Sequence, residues 1–333
     1  MNGPILIFGL PRSGTTWIGK LFDSHPDTLY RHEPDSVYRL AMPLFPDRNE
    51  AGRYRQELEK YVADLPGMRT AKIAGKQPLF PKNYYSRFAL IAYRGSVAFA
   101  KFSERLFPRM SLPYSPTGKG YDRLRVVWKS IESLGRLGAC MEALPDARAV
   151  YILRHPCGFV ASVLRGESGD YFVDSTPTSE DYGLFEKLLA SESTRNRKLT
   201  IADLRKLTPE ERLAWHWILT SEQVFSNIQN SDRVYLVRYE DICVNTVIEM
   251  RRMFEFVGLP WHQQTAAFIS ASTNQSQSDY YSVFKNPLES AQHWRFELTA
   301  EVIERVLNVL QGSTMQQFYE RDLLIKNPAS SLQ

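Results

Sequence analysis

Seven residues near the beginning of the chain, Pro11-Arg-Ser-Gly-Thr-Thr-Trp17, put one fixed positive charge, three hydroxyls and a glycine side by side. That set suits an oxyanion, because guanidinium and hydroxyl groups both donate to charged oxygen and glycine lets the backbone come close. The flanks agree with this. Pro4 to Leu10 is an apolar run that predicts a buried strand, and Trp17, Ile18, Leu21 and Phe22 recur at helical spacing until His25-Pro26 stops the segment. In a strand–loop–helix unit, the first-turn N–H groups and the helix dipole point at whatever sits in the loop.

Gly9 and Gly14 have the spacing of the nucleoside-triphosphate loop G-x-x-x-x-G-K-[ST], and Thr16 fills its Ser/Thr position. The lysine position, however, is Thr15. A lysine there reaches the β- and γ-phosphates, so its replacement favours a ligand with one phosphate in the loop and another acidic group beyond it. A kinase or NTPase with a degenerate loop is the alternative.

Other segments carry groups that could complete such a site. Val150-Tyr-Ile-Leu-Arg154 reads as a strand ending in a cation, Pro156 opens a helix, and Ser162 follows eight residues after the arginine. A forked guanidinium and a hydroxyl can close on one phosphate from two sides. Val234 to Val237 reads as strand and leads to Tyr239-Glu240-Asp241, and Trp128-Lys129-Ser130-Ile131 ends another strand. Tyr30-Arg31-His32-Glu33-Pro34 offers two proton acceptors, Glu33 and His32. Each of these residues also has a plain reading: core aromatics for Trp17 and Tyr239, surface or salt-bridged groups for Glu33, His32, Lys129 and Arg154.

Pro11–Trp17 opening a helix after a first strand resembles the 5′-phosphosulfate loop of the sulfotransferase family, whose members use 3′-phosphoadenosine 5′-phosphosulfate (PAPS). Those loops commonly read P-[KR]-[ST]-G-[ST]-[TS]. The Arg154–Ser162 spacing resembles the family's 3′-phosphate element, and Tyr239-Glu240-Asp241 its strand-plus-Tyr-Glu-Asp segment. The resemblance covers Pro4 to about Leu310 and implies an enzyme that moves a sulfuryl group from PAPS to an acceptor hydroxyl or amine, leaving adenosine 3′,5′-bisphosphate.

By that resemblance Arg12, Ser13, Gly14, Thr15 and Thr16 hold the 5′-phosphate and sulfuryl oxygens, and Trp17 and Tyr239 lie against the adenine. Arg154 and Ser162 hold the 3′-phosphate, and Lys129 stabilises the leaving oxygen. In phenol- and steroid-type members a Lys-Thr-His run supplies the base, but Ile131 stands where that histidine would be. Many carbohydrate-type members have a Glu-Pro pair after the first helix, which makes Glu33 the base, with His32 second. The C-terminal Arg-Lys-Gly clasp of cytosolic members is missing, and Arg295, in His293-Trp294-Arg295, is the nominee to replace it. The implied acceptor is a glycan or glycolipid, with a lipid alcohol or small apolar molecule as alternative. In-line sulfuryl transfer needs a base and cations but no metal.

Elements that position these groups can be read from the periodicity. Leu124–Trp128, Ala147–Leu153 and Arg233–Val237 read as strands. Ile131–Leu144, Pro156–Arg165 and a segment with Met250, Met253, Phe254 and Val257 read as helices. Strands alternating with helices predict a three-layer α/β fold around a central parallel sheet. One domain over residues 1–333 is expected, with an insertion at about 35–122 and a loop or lid at about 167–205 over the carboxyl ends of the strands. The insertion is aromatic-rich (Tyr84, Tyr85, Phe88, Tyr93, Phe99, Phe102), which fits sugar stacking, a lipid channel or ordinary core.

Composition excludes less. The 333 residues are 43% hydrophobic and 23% charged, values of a globular chain, and a net charge of +4 argues for neither nucleic acid nor membrane. Three cysteines without close Cys or His neighbours predict buried small side chains rather than disulfides or zinc. No run approaches a membrane span and no leader precedes the first strand, which gives a cytoplasmic expectation if the chain is whole, with a trimmed membrane-anchored enzyme as the alternative.

Overall fold

The computed structural model of the chain describes residues 3–103, 111, 112, 124–169, 176–191, 193, 194, 197–274, 283 and 286–319. Parts of the expected insertion (104–110, 113–122) and of the expected lid (170–175, 192, 195, 196) lie outside the described residues.

In chain order the regular elements begin with β1 (Ile5–Gly9), α1 (Thr15–Asp23), β2 (Thr28–His32), α2 (Arg55–Asp64), α3 (Ala71–Ala74) and α4 (Arg87–Phe102). Then come β3 (Arg125–Ser130), α5 (Leu137–Ala143), β4 (Arg148–Leu153), α6 (Pro156–Ser168), α7 (Tyr182–Ala190), α8 (Ile201–Leu204) and α9 (Pro209–Ile228). The last are β5 (Val234–Arg238), α10 (Tyr239–Val244), α11 (Thr246–Val257), α12 (Gln263–Asn274), α13 (Pro287–Gln292), α14 (Trp294–Glu297) and α15 (Ala300–Leu310).

Five strands form one parallel sheet in the order β2-β3-β1-β4-β5. All of β1, β2 and β3 is buried, as parallel strands covered on both faces must be, whereas edge strand β5 is only half-buried. From β1 the chain goes to β2 on one side of the sheet, and from β4 to β5 on the other. The order therefore reverses between β1 and β4, and a ligand crevice is expected beyond their carboxyl ends.

The chain divides into two compact units, Met1–Leu153 with Asn230–Ser290, and Arg154–Gln229 with Ala291–Gln333. The first contains the whole sheet with α1–α5 and α10–α12. The second is helical: α6, α9 and α15 pack on one another, with Trp217 and Leu213 wholly buried. Its helices are firmly started by their sequence. Thr208 and Glu211 make a capping box on α9, and Thr299 caps α15.

Two expectations are corrected, and one strand is added to those read from periodicity. Thr28–His32, whose alternation is short and broken by charge, pairs with β3 and forms the other edge of the sheet. The helix expected from Ile131 begins only with a 3₁₀ turn at Leu134, since Ser130 Oγ accepts from Ser133 N (2.9 Å) and holds the intervening residues in a bend. The polar stretch that reads as a loop carries α7 and α8, started by Asp181 and by a Thr200–Asp203 capping box. The cysteines Cys140, Cys157 and Cys243 are buried thiols, as expected. The insertion's aromatics divide: Tyr84 is buried and Tyr85 and Tyr93 partly so, but Phe88, Phe99 and Phe102 are exposed.

Candidate active site

The loop after β1 has the geometry of an anion cradle. Arg12 (φ 68°) and Gly14 (φ 78°) are both left-handed, and Ser13 N closes the turn on Leu10 O at 3.2 Å. Gly14 is the N-cap of α1 and provides no side-chain cap, so the first-turn N–H groups face outward for an anion. A Cβ on Gly9 would lie 2.7 Å from Thr15 Cγ2 and 2.8 Å from Ile152 O, which is why only glycine fits there. On Gly14 it would meet Tyr239 Cε2 at 2.2 Å, so the Tyr239 ring lies directly against the loop. Ser13 and Thr15 are buried in the turn, and Arg12 and Thr16 are half-buried.

Trp17 is nearly buried. Its indole N–H donates to Ser272 Oγ (3.2 Å) and its ring meets Tyr239 edge-on, centroids 6.4 Å apart. Helices α1 and α10 thus hold Trp17 and Tyr239 as one aromatic wall beside the loop.

On the other side of β1, Lys129 and Glu33 come together at the carboxyl ends of β3 and β2. Lys129 Nζ is ion-paired with Glu33 Oε1, and Glu33 N donates to Lys129 O at 2.8 Å. Glu33 is left-handed (φ 47°), an uncommon backbone for a carboxylate residue and one that the backbone bond to Lys129 sustains. Lys129 is buried, and burial lowers its ammonium from the ordinary lysine value while Glu33 raises it. A Cβ on Gly19 of α1 would stand 3.2 Å from Lys129 Cγ, so the helix opened by the phosphate loop also packs on this lysine.

His32 completes the cluster. Its Nε2 lies 3.8 Å from Glu33 Oε1, and its Nδ1 pairs with Tyr30 OH at 2.9 Å. Burial first, then the charge of Lys129, holds the imidazole well below its ordinary 6.5, so it is neutral at pH 7. Tyr30 is a site residue that motif reasoning misses. The signal that would have found it is the strand itself, since residues two apart on β2 share a face. Equally hidden is the brace behind the pair: buried Asp35 accepts from Ser130 Oγ and from Ser133 Oγ (2.6 Å), and Arg136 donates to Ser133 Oγ (3.1 Å).

In the helical unit, Arg154 begins the segment after β4. A Cβ on Gly158 would lie 3.0 Å from Arg154 Nε, so the guanidinium stem covers the first turn of α6. Ser162 is four residues beyond Gly158, on the same helix face. Both Arg154 and Ser162 are buried, and Trp217 Nε1 donates to Arg154 O at 2.9 Å. Arg295 is exposed on α14, its guanidinium 4.5 Å from the Trp294 ring centroid, while Trp294 stacks on His155 at 4.6 Å. Among the described residues no three His, Cys, Asp or Glu side chains gather as metal ligands, and no helix is long and apolar enough to cross a membrane.

Comparison with known proteins agrees with these features. A model described as the sulfotransferase family matches residues 4–263. Carbohydrate sulfotransferase 1 of Rattus norvegicus is 30% identical over 374 residues, 98% of this chain and 82% of that protein. Carbohydrate sulfotransferase 2 of Mus musculus is 21% identical over 346 residues, 91% of this chain and 62% of that protein. Carbohydrate sulfotransferase 1 of Mus musculus aligns over 103 residues at 31% identity, 29% of this chain and 25% of that protein. A crystal structure of a mouse sulfotransferase complexed with PAP covers 97% of this chain and 89% of its own at 12% identity, with a TM-score of 0.44.

Proposed function

The chain belongs to the sulfotransferase family, and from that premise we propose that it transfers a sulfuryl group from PAPS to a hydroxyl of a glycan or glycolipid. The observation that carries the reading is the Lys129–Glu33 pair, held at the sheet edge by a left-handed Glu33 and packed under the helix that the phosphate loop opens. The carbohydrate-sulfotransferase relatives support the acceptor class.

The residues fit the co-substrate. Gly9 and Gly14 let the loop close against Thr15, Ile152 and the Tyr239 ring where any Cβ would collide, and Gly14 caps α1 without a side chain. Arg12 with the first-turn N–H groups takes the 5′-phosphate and sulfuryl oxygens, Trp17 and Tyr239 offer the adenine an aromatic wall, and Arg154 with Ser162 takes the 3′-phosphate. Glu33 removes the proton of the acceptor hydroxyl as its oxygen attacks sulfur. The new oxygen–sulfur bond forms opposite the one that breaks, and Lys129 donates to the oxygen on which charge collects. His32, neutral and tied to Tyr30, stands 3.8 Å from the same carboxylate oxygen that Lys129 holds.

Two measurements test this. Transfer of labelled sulfate from PAPS over glycan, lipid and phenol acceptors should give product with glycans or glycolipids. Product with phenols alone overturns the acceptor class, and magnesium-dependent ATP hydrolysis in place of transfer overturns the reaction. Arg154→Ala should weaken adenosine 3′,5′-bisphosphate by about 1.5–3 kcal/mol, the loss of a charge-assisted bond, by calorimetry. Unchanged affinity removes Arg154 from the nucleotide.

A further inference from the structure

The α4 helix is apolar on two sides. At 100° per residue, Val97 and Ala100 lie on its inward side, packed with Leu112 and against Ala71, Ala74, Leu79 and Tyr93. The opposite side should be polar in a protein surrounded by water. Instead Phe88, Ile91, Phe99 and Phe102 lie within about 60° of the line through Gly95, and they are 84%, 66%, 60% and 90% exposed. Over 16 residues this makes an apolar stripe about 24 Å long.

Charge beside the stripe says what would cover it. Arg87, Arg94 and Lys101 fall together on one flank, about 80–120° from that line. Arg94 donates to Leu79 O at 3.0 Å, a carbonyl of the neighbouring segment, which fixes its guanidinium on that flank. The helix sequence, Arg-Phe-Ala-Leu-Ile-Ala-Tyr-Arg-Gly-Ser-Val-Ala-Phe-Ala-Lys-Phe, contains no acidic residue. A second copy of α4 would supply more cations and no counter-charge. An anionic bilayer supplies both phases, acyl chains for the phenylalanines and phosphate headgroups for the cations.

We propose that α4 docks the protein on an anionic lipid surface, with Phe88, Ile91, Phe99 and Phe102 at the acyl boundary and Arg87, Arg94 and Lys101 among the headgroups. The helix reaches the active site through one neighbour, because α3 packs on both α4 and β2, the strand that ends in His32. A bilayer-held acceptor, such as a glycolipid, would then meet the enzyme on the side that carries Glu33. The docking itself does not depend on the transfer reaction and is read without it.

The test is flotation of the full chain with vesicles of phosphatidylserine and phosphatidylcholine, and with vesicles of phosphatidylcholine alone. Binding is expected to the first, weakened by salt, and little to the second. Reversing the flank (R87E, R94E, K101E together) should lower it at least ~100-fold, about fivefold or more for each charge. The triple change F88S, F99S, F102S should abolish it. Both variants should bind adenosine 3′,5′-bisphosphate as the parent does, which establishes that they fold. Absence of binding to phosphatidylserine vesicles overturns the proposal, as does equal binding by the phenylalanine variant. A dimer in sedimentation that this variant dissolves, without vesicle binding, assigns the face to a second copy and overturns it too.

Discussion

Glu33→Gln is expected to lower turnover at least ~100-fold while leaving affinity for adenosine 3′,5′-bisphosphate essentially unchanged. Glutamine keeps the size of the side chain and can still accept from Lys129, so what it removes is the capacity to take a proton. The adenosine product does not use that capacity, and rapid-quench turnover with calorimetry separates the two effects. A second consequence accompanies the first: Lys129 is buried, and Glu33, ahead of Asp35, raises its ammonium against desolvation. Without that partner the lysine falls further, and a smaller fraction of it carries the proton that it offers the departing oxygen. His32→Gln serves as the contrast. Its imidazole is already neutral at pH 7 and bonded to Tyr30, so only a modest fall is expected. Should His32→Gln cost as much as Glu33→Gln, the proton passes to His32 and the assignment of the base is reversed.

Asp23→Asn is expected to destabilise the fold by about 3–5 kcal/mol, the cost of removing one partner from a buried charge cluster. Asp23, at the end of α1, is ion-paired with Lys20 and lies 2.8 Å from Lys82 Nζ, with all three side chains nearly inaccessible. Lys82 also donates to Thr28 Oγ1 and His25 O, both at 3.1 Å, so the cluster fixes the start of β2 to the insertion. Both groups shift downward, for different reasons. Lys20 is drawn down to about 8 because desolvation outweighs Asp23, whereas Lys20 and Lys82 together lower the Asp23 carboxyl although burial opposes them. At pH 7 one carboxylate therefore serves two ammonium groups, and asparagine leaves both uncompensated.

The pH dependence follows from the lowered carboxyl. Its stabilisation is complete above the ordinary aspartate value of 3.8 and is lost as pH falls through the lower folded value. Urea midpoints of parent and variant from pH 7 downward should therefore converge in acid. A difference under ~1 kcal/mol at pH 7 would mean that the cluster is not holding β2.

Short-range patterns accounted for much of this protein. The apolar run before Gly9, the glycines, and the hydroxyls of Ser13, Thr15 and Thr16 specify strand, loop and helix within a few residues, because a tight anion loop is a local object. The same holds for Val150–Arg154 running into Pro156, and for the alternation that demanded a parallel sheet. Chain-local reasoning also brought Glu33 and Lys129 forward, although by resemblance rather than by their pairing in space.

What was not legible depended on partners distant in the sequence. Residues 28–32 become a strand because β3, almost a hundred positions later, pairs with them, and only then do Tyr30 and His32 share a face. The Lys129–Glu33 ion pair, the Asp35 brace and the Lys20–Asp23–Lys82 cluster each join segments that periodicity treats separately. Sequence alone also could not decide which aromatics of the insertion face inward: Tyr84 is buried and Phe102 exposed because packing against β2 and α3, not residue type, selects the side. Residue chemistry determined which donors the Pro11–Trp17 loop presents. Only the parallel pairing of β2 with β3 decided which carboxylate stands beside which lysine, since side chains at the ends of two strands meet through register, and register belongs to the sheet.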